Sequence, residues 1–204
     1  SNGSVHRTNY GEIKIRSRKL GSKLVKDGYK PGDILATLAL NTHRHLEAYY
    51  GISGIGAITH TLNFRLHPEQ AVYIINHAED KVIFVEAPFI PLLEALQDKI
   101  PSVEKFIVFC DKEEMPETSL KNCVSYEEYI EDGDDNFEWP KLPDDAACGL
   151  CYTSGTTGNP KGVLYSHKST ILHAISAAAP KTLKVQPDDS CLLYTSPSPR
   201  DSMT

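Results

Sequence analysis

The chain has 204 residues and a formal net charge of −6, with 40% hydrophobic and 24% charged residues. This composition excludes the disordered, collagen-like and disulfide-scaffold classes, and no apolar run approaches the ~20 residues that a membrane-spanning helix needs. The acidic balance argues against a general nucleic-acid binder, and the length suits one domain with room for part of a second.

Asn9 and Glu12 have the spacing of a capping box, and Ile13, Leu20 and Leu24 form the apolar stripe of a helix that ends by Gly28. Residues 29–33 carry turn chemistry, with Pro31 fixing φ before Gly32. Residues 34–40 are nearly all apolar and of strand length, the pattern of a strand covered on both faces. Asn41 and Thr42 can cap a helix through Leu46, Tyr49 and Tyr50 towards Ile55. Residues 57–62 read as a second strand.

His67, Pro68 and Glu69 start a helix through Val72, Ile75 and Ala78, with proline in the first turn and an acid beside the positive helix end. A short buried strand at 82–85, a helix over 88–100 with Leu92, Leu93 and Leu96 on one side, and a strand at 106–109 follow. This alternation predicts an α/β fold, a layered and largely parallel sheet flanked by helices.

Residues 111–145 interrupt the alternation. They hold 13 of the 27 acids and only 3 of the 21 bases. They read as a solvated excursion with one short helix near Tyr126 to Ile130; an acidic docking patch is the alternative. The five cysteines leave one over and imply no disulfide framework. Cys148 and Cys151 form a C-x-x-C in a strand-like run over 147–151. Positions three apart on a strand face opposite sides, so the pair is expected to be small, buried and apolar rather than metal-binding or redox-active. No N-terminal stretch has the pattern of a secretory signal, and a reducing cytoplasm is the expected setting.

The chemistry is concentrated at 152–162. Thr153, Ser154, Gly155, Thr156, Thr157, Gly158, Asn159, Pro160, Lys161 and Gly162 follow one strand-like run and precede another at 163–165. Glycines let backbone N–H groups converge on an anion, hydroxyls add donors, and Lys161 adds a flexible point charge. A Walker A motif needs lysine directly after glycine and a helix next; here Lys161 stands three residues beyond Gly158 and a strand follows.

This ten-residue run resembles the phosphate-binding signature of AMP-forming adenylating enzymes, which include acyl-CoA synthetases, luciferases and peptide-synthetase adenylation domains. The flanks through His167, together with the stretches 41–47, 62–70 and 76–80, resemble fatty-acyl-CoA ligases acting on medium and long chains. A ligase for 3-methylthiopropionate shares much of the pattern. The resemblance covers most of residues 8–190. It implies ATP, Mg2+ and CoA as cofactors and co-substrate and a carboxylic acid as substrate, with acyl-AMP and pyrophosphate formed first and the CoA thioester second.

The resemblance also implies roles. Thr153, Ser154, Thr156 and Thr157 would donate hydroxyls to the leaving β- and γ-phosphates, Gly155 and Gly158 would present backbone N–H groups, and Lys161 would face the terminal phosphates. Thr153 would also sit on Mg2+. It assigns no catalytic residue to this chain: the acyl-site gate, adenine-binding segment, acidic metal ligand, hinge and terminal lysine belong further on.

Residues 1–190 are therefore expected to be an incomplete N-terminal AMP-binding domain, inactive alone in both half-reactions and poorly soluble through open sheet edges. Residues 191–204 break the pattern; the Ser/Pro-rich run from Cys191 to Asp201 resembles a translated sequencing adapter. His43, His45, His77 and His173 are expected to cap, pack or lie at the surface, whereas His167 could approach nucleotide or acyl chain. A non-catalytic nucleotide- or partner-binding module and a different phosphate-loop NTPase are the competing classes; the spacing of Lys161 counts against the latter.

Overall fold

The computed structural model describes residues 6–153 and 159–179, together with Leu183, Gln186 and Asp189. Ser154, Gly155, Thr156, Thr157 and Gly158 of the glycine-rich loop, and the tail from 191, lie outside the described residues.

The described residues form six α-helices and seven strands, in the order α1 (Tyr10–Lys26), β1 (Ile34–Leu38), α2 (His43–Gly54), β2 (Ile58–Thr61), α3 (Pro68–Ala78), β3 (Val82–Val85), α4 (Ile90–Leu96), β4 (Lys105–Val108), β5 (Cys123–Ser125), α5 (Tyr126–Ile130), β6 (Ala147–Thr153), β7 (Lys161–Ser166) and α6 (His167–Ala178). The strands form one sheet in the order β5-β4-β3-β1-β2-β6-β7. All neighbouring pairs are parallel except β6 and β7, which are antiparallel. The expected α/β layering and largely parallel sheet are present.

Period-2 alternation inside mainly apolar strands explains the layers. Leu35, Val82, Phe84, Ile107 and Phe109 point to one face and pack with Leu20, Ile52 and Tyr126 from α1, α2 and α5. Ala36, Ile83, Val85, Phe106 and Val108 point to the other and pack with Ile74, Ile75 and Leu93 from α3 and α4. All four β3 side chains are fully buried, each worth roughly 1.5–3 kcal/mol.

The predicted caps hold. Asn9 accepts from the Glu12 backbone N–H at 3.0 Å, and the Glu12 carboxylate accepts in return from the Asn9 amide and the Thr8 hydroxyl. Thr42 accepts from His45 N–H at 3.3 Å. The expected helix over 88–100 is shorter. Pro88 lies in a 3-10 turn at Ala87–Phe89, Pro91 sits in the first turn of α4, and a second 3-10 turn follows at Gln97–Lys99. Proline is tolerated only in a first turn, so α4 starts at Ile90.

The acidic stretch is bound more tightly than a solvated excursion. It contributes β5, which the polar sequence around Cys123 to Ser125 concealed, and its acids meet bases of the helices. Arg16 donates to Glu127 through both terminal nitrogens at 2.9 and 2.7 Å, and Arg44 donates to the same carboxylate at 2.8 Å and to Asp111. Further along, the Trp139 indole fills a notch between Gly21 of α1 and Gly54 of α2, where any Cβ would collide with the ring.

At the other end, β7 is an edge strand and α6 buries none of its residues. Leu164, Ile171, Leu172 and Ile175 are more than half exposed. No helix among the described residues is long and apolar enough to cross a membrane.

Candidate phosphate-binding hairpin

The glycine-rich loop closes the antiparallel β6–β7 hairpin. Thr153 ends β6, Lys161 begins β7, and the two are cross-strand partners, with Tyr152 opposite Gly162 one step back. Cα atoms of such partners stand about 4.5–5.5 Å apart. Both residues are exposed, so a hydroxyl and an ammonium flank the loop's two ends. Because β6 runs parallel to β2, the loop leaves from the carboxyl edge of the parallel sheet, the edge where open α/β folds bind ligands. The strand after Lys161 is as predicted and separates this loop from a Walker A turn.

Four residues that the sequence did not single out together buttress the hairpin. The Tyr152 hydroxyl and His77 Nδ1 of α3 share a hydrogen bond of 2.6 Å. The Tyr152 ring lies 5.2 Å from that of His60 on β2. His60 Nδ1–H donates to both carboxylate oxygens of Asp80, at 2.9 and 2.8 Å, and both side chains are fully buried. Polar residues within predicted core segments were the available signal.

Burial pushes the Asp80 carboxyl up to about 6, from 3.8, against the opposing pull of the His60 hydrogen bond. The folded state therefore keeps a proton that the unfolded state releases across that window, so Asp80's contribution to stability falls as pH rises through it. Asp80→Asn, which keeps an acceptor for His60, is expected to gain on the parent between pH 4 and 6.5, by on the order of 2 kcal/mol, and to hold level above. Thermal melts of both proteins across that range check this; a pH-independent difference would reject it.

On the opposite sheet face, beside α2, lies a groove of about 1250 Å³ lined by Tyr49, Trp139, Cys148, Cys151, Tyr165 and His167 among others. The two cysteines were expected to be buried and on opposite faces. Both are half-buried, and both line this groove, because a register irregularity between Ala147 and Gly149 breaks the period of two. Each thiol meets a threonine hydroxyl, Cys151 with Thr61 at 3.3 Å and Cys148 with Thr170 at 3.5 Å. His167 stands past the far end of β7, about 20 Å of strand from Lys161. It therefore adjoins the groove and not the loop.

Of the other histidines expected to cap, pack or lie at the surface, His43 and His45 pack and His173 is exposed. His45 bonds Leu40 O and the Thr37 hydroxyl. His43 stacks on His6 at 3.7 Å, and burial pushes its pKa down to about 4. No group of three or more His, Cys, Asp or Glu among the described residues could hold a metal ion.

A family model described as AMP-binding enzyme matches residues 2–198. The chain is 50% identical over 177 residues to the 3-methylmercaptopropionyl-CoA ligase of Ruegeria lacuscaerulensis, covering 87% of this chain and 33% of that protein. It is 45% identical over 192 residues to the medium-chain-fatty-acid–CoA ligase of Ectopseudomonas oleovorans, covering 94% and 35%. Among solved structures it superposes on the anthranilate CoA ligase AuaEII in complex with anthranoyl-AMP, with a TM-score of 0.77 and 26% identity over 83% of this chain and 32% of that one. The chain thus spans about a third of the length of each of these proteins.

Proposed function

The chain belongs to the AMP-binding enzyme family, and on that premise we propose that it is the phosphate-gripping portion of an ATP-dependent acid–thiol ligase. The observation that carries this reading is the hairpin tip, where the family signature runs between an exposed Thr153 and an exposed Lys161 held opposite each other. In the proposed reaction a carboxylate attacks the α-phosphate of ATP, pyrophosphate leaves, and the CoA thiol then displaces AMP. The loop's part is to hold the leaving β- and γ-phosphates in line and to balance their charge, work done by positioning and preorganised donors. Lys161 supplies a charge-assisted contact, Thr153 a hydroxyl, and the intervening glycines and hydroxyls the remaining donors.

Magnesium fits this site only as a companion of the nucleotide. Among the described residues there is no acidic or histidine cluster, so this chain's own contribution to holding the ion would be the Thr153 hydroxyl beside the nucleotide's phosphates. That ion would neutralise phosphate charge. We assign the protein to a reducing cytoplasm, in keeping with the four free cysteines of the described chain.

For the acid we propose a medium- or long-chain fatty acid, on the 45% identity to the medium-chain ligase. The 50% identity to the methylmercaptopropionyl ligase supports the second reading, a short sulfur-containing acid. Thioester formation by a full-length protein carrying this segment, across acids of graded length, separates the two: turnover of methylthiopropionate above octanoate selects the second. The phosphate reading is tested on the chain itself by calorimetric titration with MgATP. Lys161→Ala is expected to weaken binding about tenfold or more, the loss of one charge-assisted contact. Absence of MgATP binding by the parent, or unchanged binding by the variant, would reject it.

A further inference from the structure

We propose that Tyr152 and His77 are a positioning pair that fixes the tip of the β6–β7 hairpin, and with it the two ends of the loop. The inference rests on the phosphate reading only for its functional consequence. Tyr152 is the last residue before Thr153, and its cross-strand partner Gly162 is the first after Lys161. A side chain on Gly162 would begin 3.2 Å from Tyr152 Cζ and 3.1 Å from Leu150 Cδ1, so glycine there lets the tyrosine ring lie across both arms of the hairpin. From that position the hydroxyl reaches His77 Nδ1 at 2.6 Å. One side chain therefore ties β6 and β7 to α3.

The ring's inner side is backed by His60, which cannot swing away because Asp80 holds its Nδ1 from within the core. Burial, the nearby Asp80 and Tyr73 hold the Tyr152 hydroxyl above its ordinary pKa, so it stays protonated and uncharged. This matters at the tip because β7 is an edge strand with exposed side chains. Beyond the β6 ladder, the hydrogen bond to His77 links the tip to α3. A site that grips phosphates needs its donors placed to within about 0.5 Å, which a supporting shell of this kind provides.

The test uses the 204-residue chain with Tyr152→Phe, His77→Ala and His77→Asn, reading local amide hydrogen exchange and MgATP affinity. Asparagine places an amide where Nδ1 stands and should rescue the contact. Expected for Tyr152→Phe and His77→Ala is exchange about 5–10-fold faster at Thr153 and Lys161, with β3 amides unchanged, and MgATP binding weakened by a similar factor. His77→Asn should stay within about twofold of the parent in both readouts. Unchanged exchange at the hairpin tip, an equal rise in β3, or failure of His77→Asn to rescue would overturn the proposal. If the parent shows no MgATP binding while the local exchange pattern appears, the positioning pair stands and the phosphate reading falls.

Discussion

Arg16→Ala is expected to lower the stability of the fold by about 3–5 kcal/mol, far more than loss of a surface ion pair. The reason is Glu47. Its side chain is fully buried on α2, Arg16 Nε donates to its Oε1 at 2.8 Å, and the Tyr126 hydroxyl is its other polar neighbour. Removing the guanidinium strands a charge in the core, whereas Glu127 keeps Arg44. Burial already pushes the Glu47 pKa up despite its hydrogen bond to Arg16, and loss of Arg16 pushes it higher. A raised carboxyl favours the folded state only while protonated, so the penalty should shrink as pH falls from 8 towards 5. Adding Glu47→Met to Arg16→Ala should recover part of the loss. Denaturant melts of the two variants check both points; a penalty below 1 kcal/mol at pH 8 would show that Glu47 is not held as a buried anion.

Gly51→Val is expected to cost about 2–3 kcal/mol by overpacking. Gly51 of α2 faces Leu20 of α1: a Cβ there would fall 2.6 Å from Leu20 Cδ2 and 2.8 Å from its Cγ. Leu20 is fully buried in the core beneath the sheet and has nowhere to retreat. Replacing glycine with a side chain normally helps a helix by up to ~1 kcal/mol, so the two effects oppose each other and the collision wins. A paired Leu20→Ala substitution should restore part of the stability by opening the space, and a double-mutant cycle with coupling near zero would reject the contact.

What could be read from residues in order was the local chemistry. Val82 to Val85 announces a central strand because all four side chains are apolar and both faces are covered. The strand–loop–strand pattern around Lys161 announces the hairpin for the same local reason. What could not be read depends on distant partners or on broken periodicity. Arg16 and Glu127 are 111 positions apart, so neither reveals that the acidic stretch is stapled to α1. His60 and Asp80 are 20 positions apart and only become a pair once β2 and the end of α3 are side by side. The two cysteines were misplaced because a strand's period of two was assumed where the β6 register slips. At the candidate site, Thr153 and Lys161 could be named in advance, but the Tyr152–His77 support could not. It links strand to helix across 75 positions.

The indole in the glycine notch is the chain's single tryptophan, which makes the protein its own optical reporter. Its emission comes from one place, the junction of the acidic stretch with α1 and α2, with no second fluorophore of that kind to dilute it. A red shift therefore times the release of that stretch into water. Coincidence of that transition with the far-ultraviolet circular dichroism melt would mean that the stretch and the sheet unfold as one cooperative unit, and an earlier fluorescence transition would mean that the stretch detaches first.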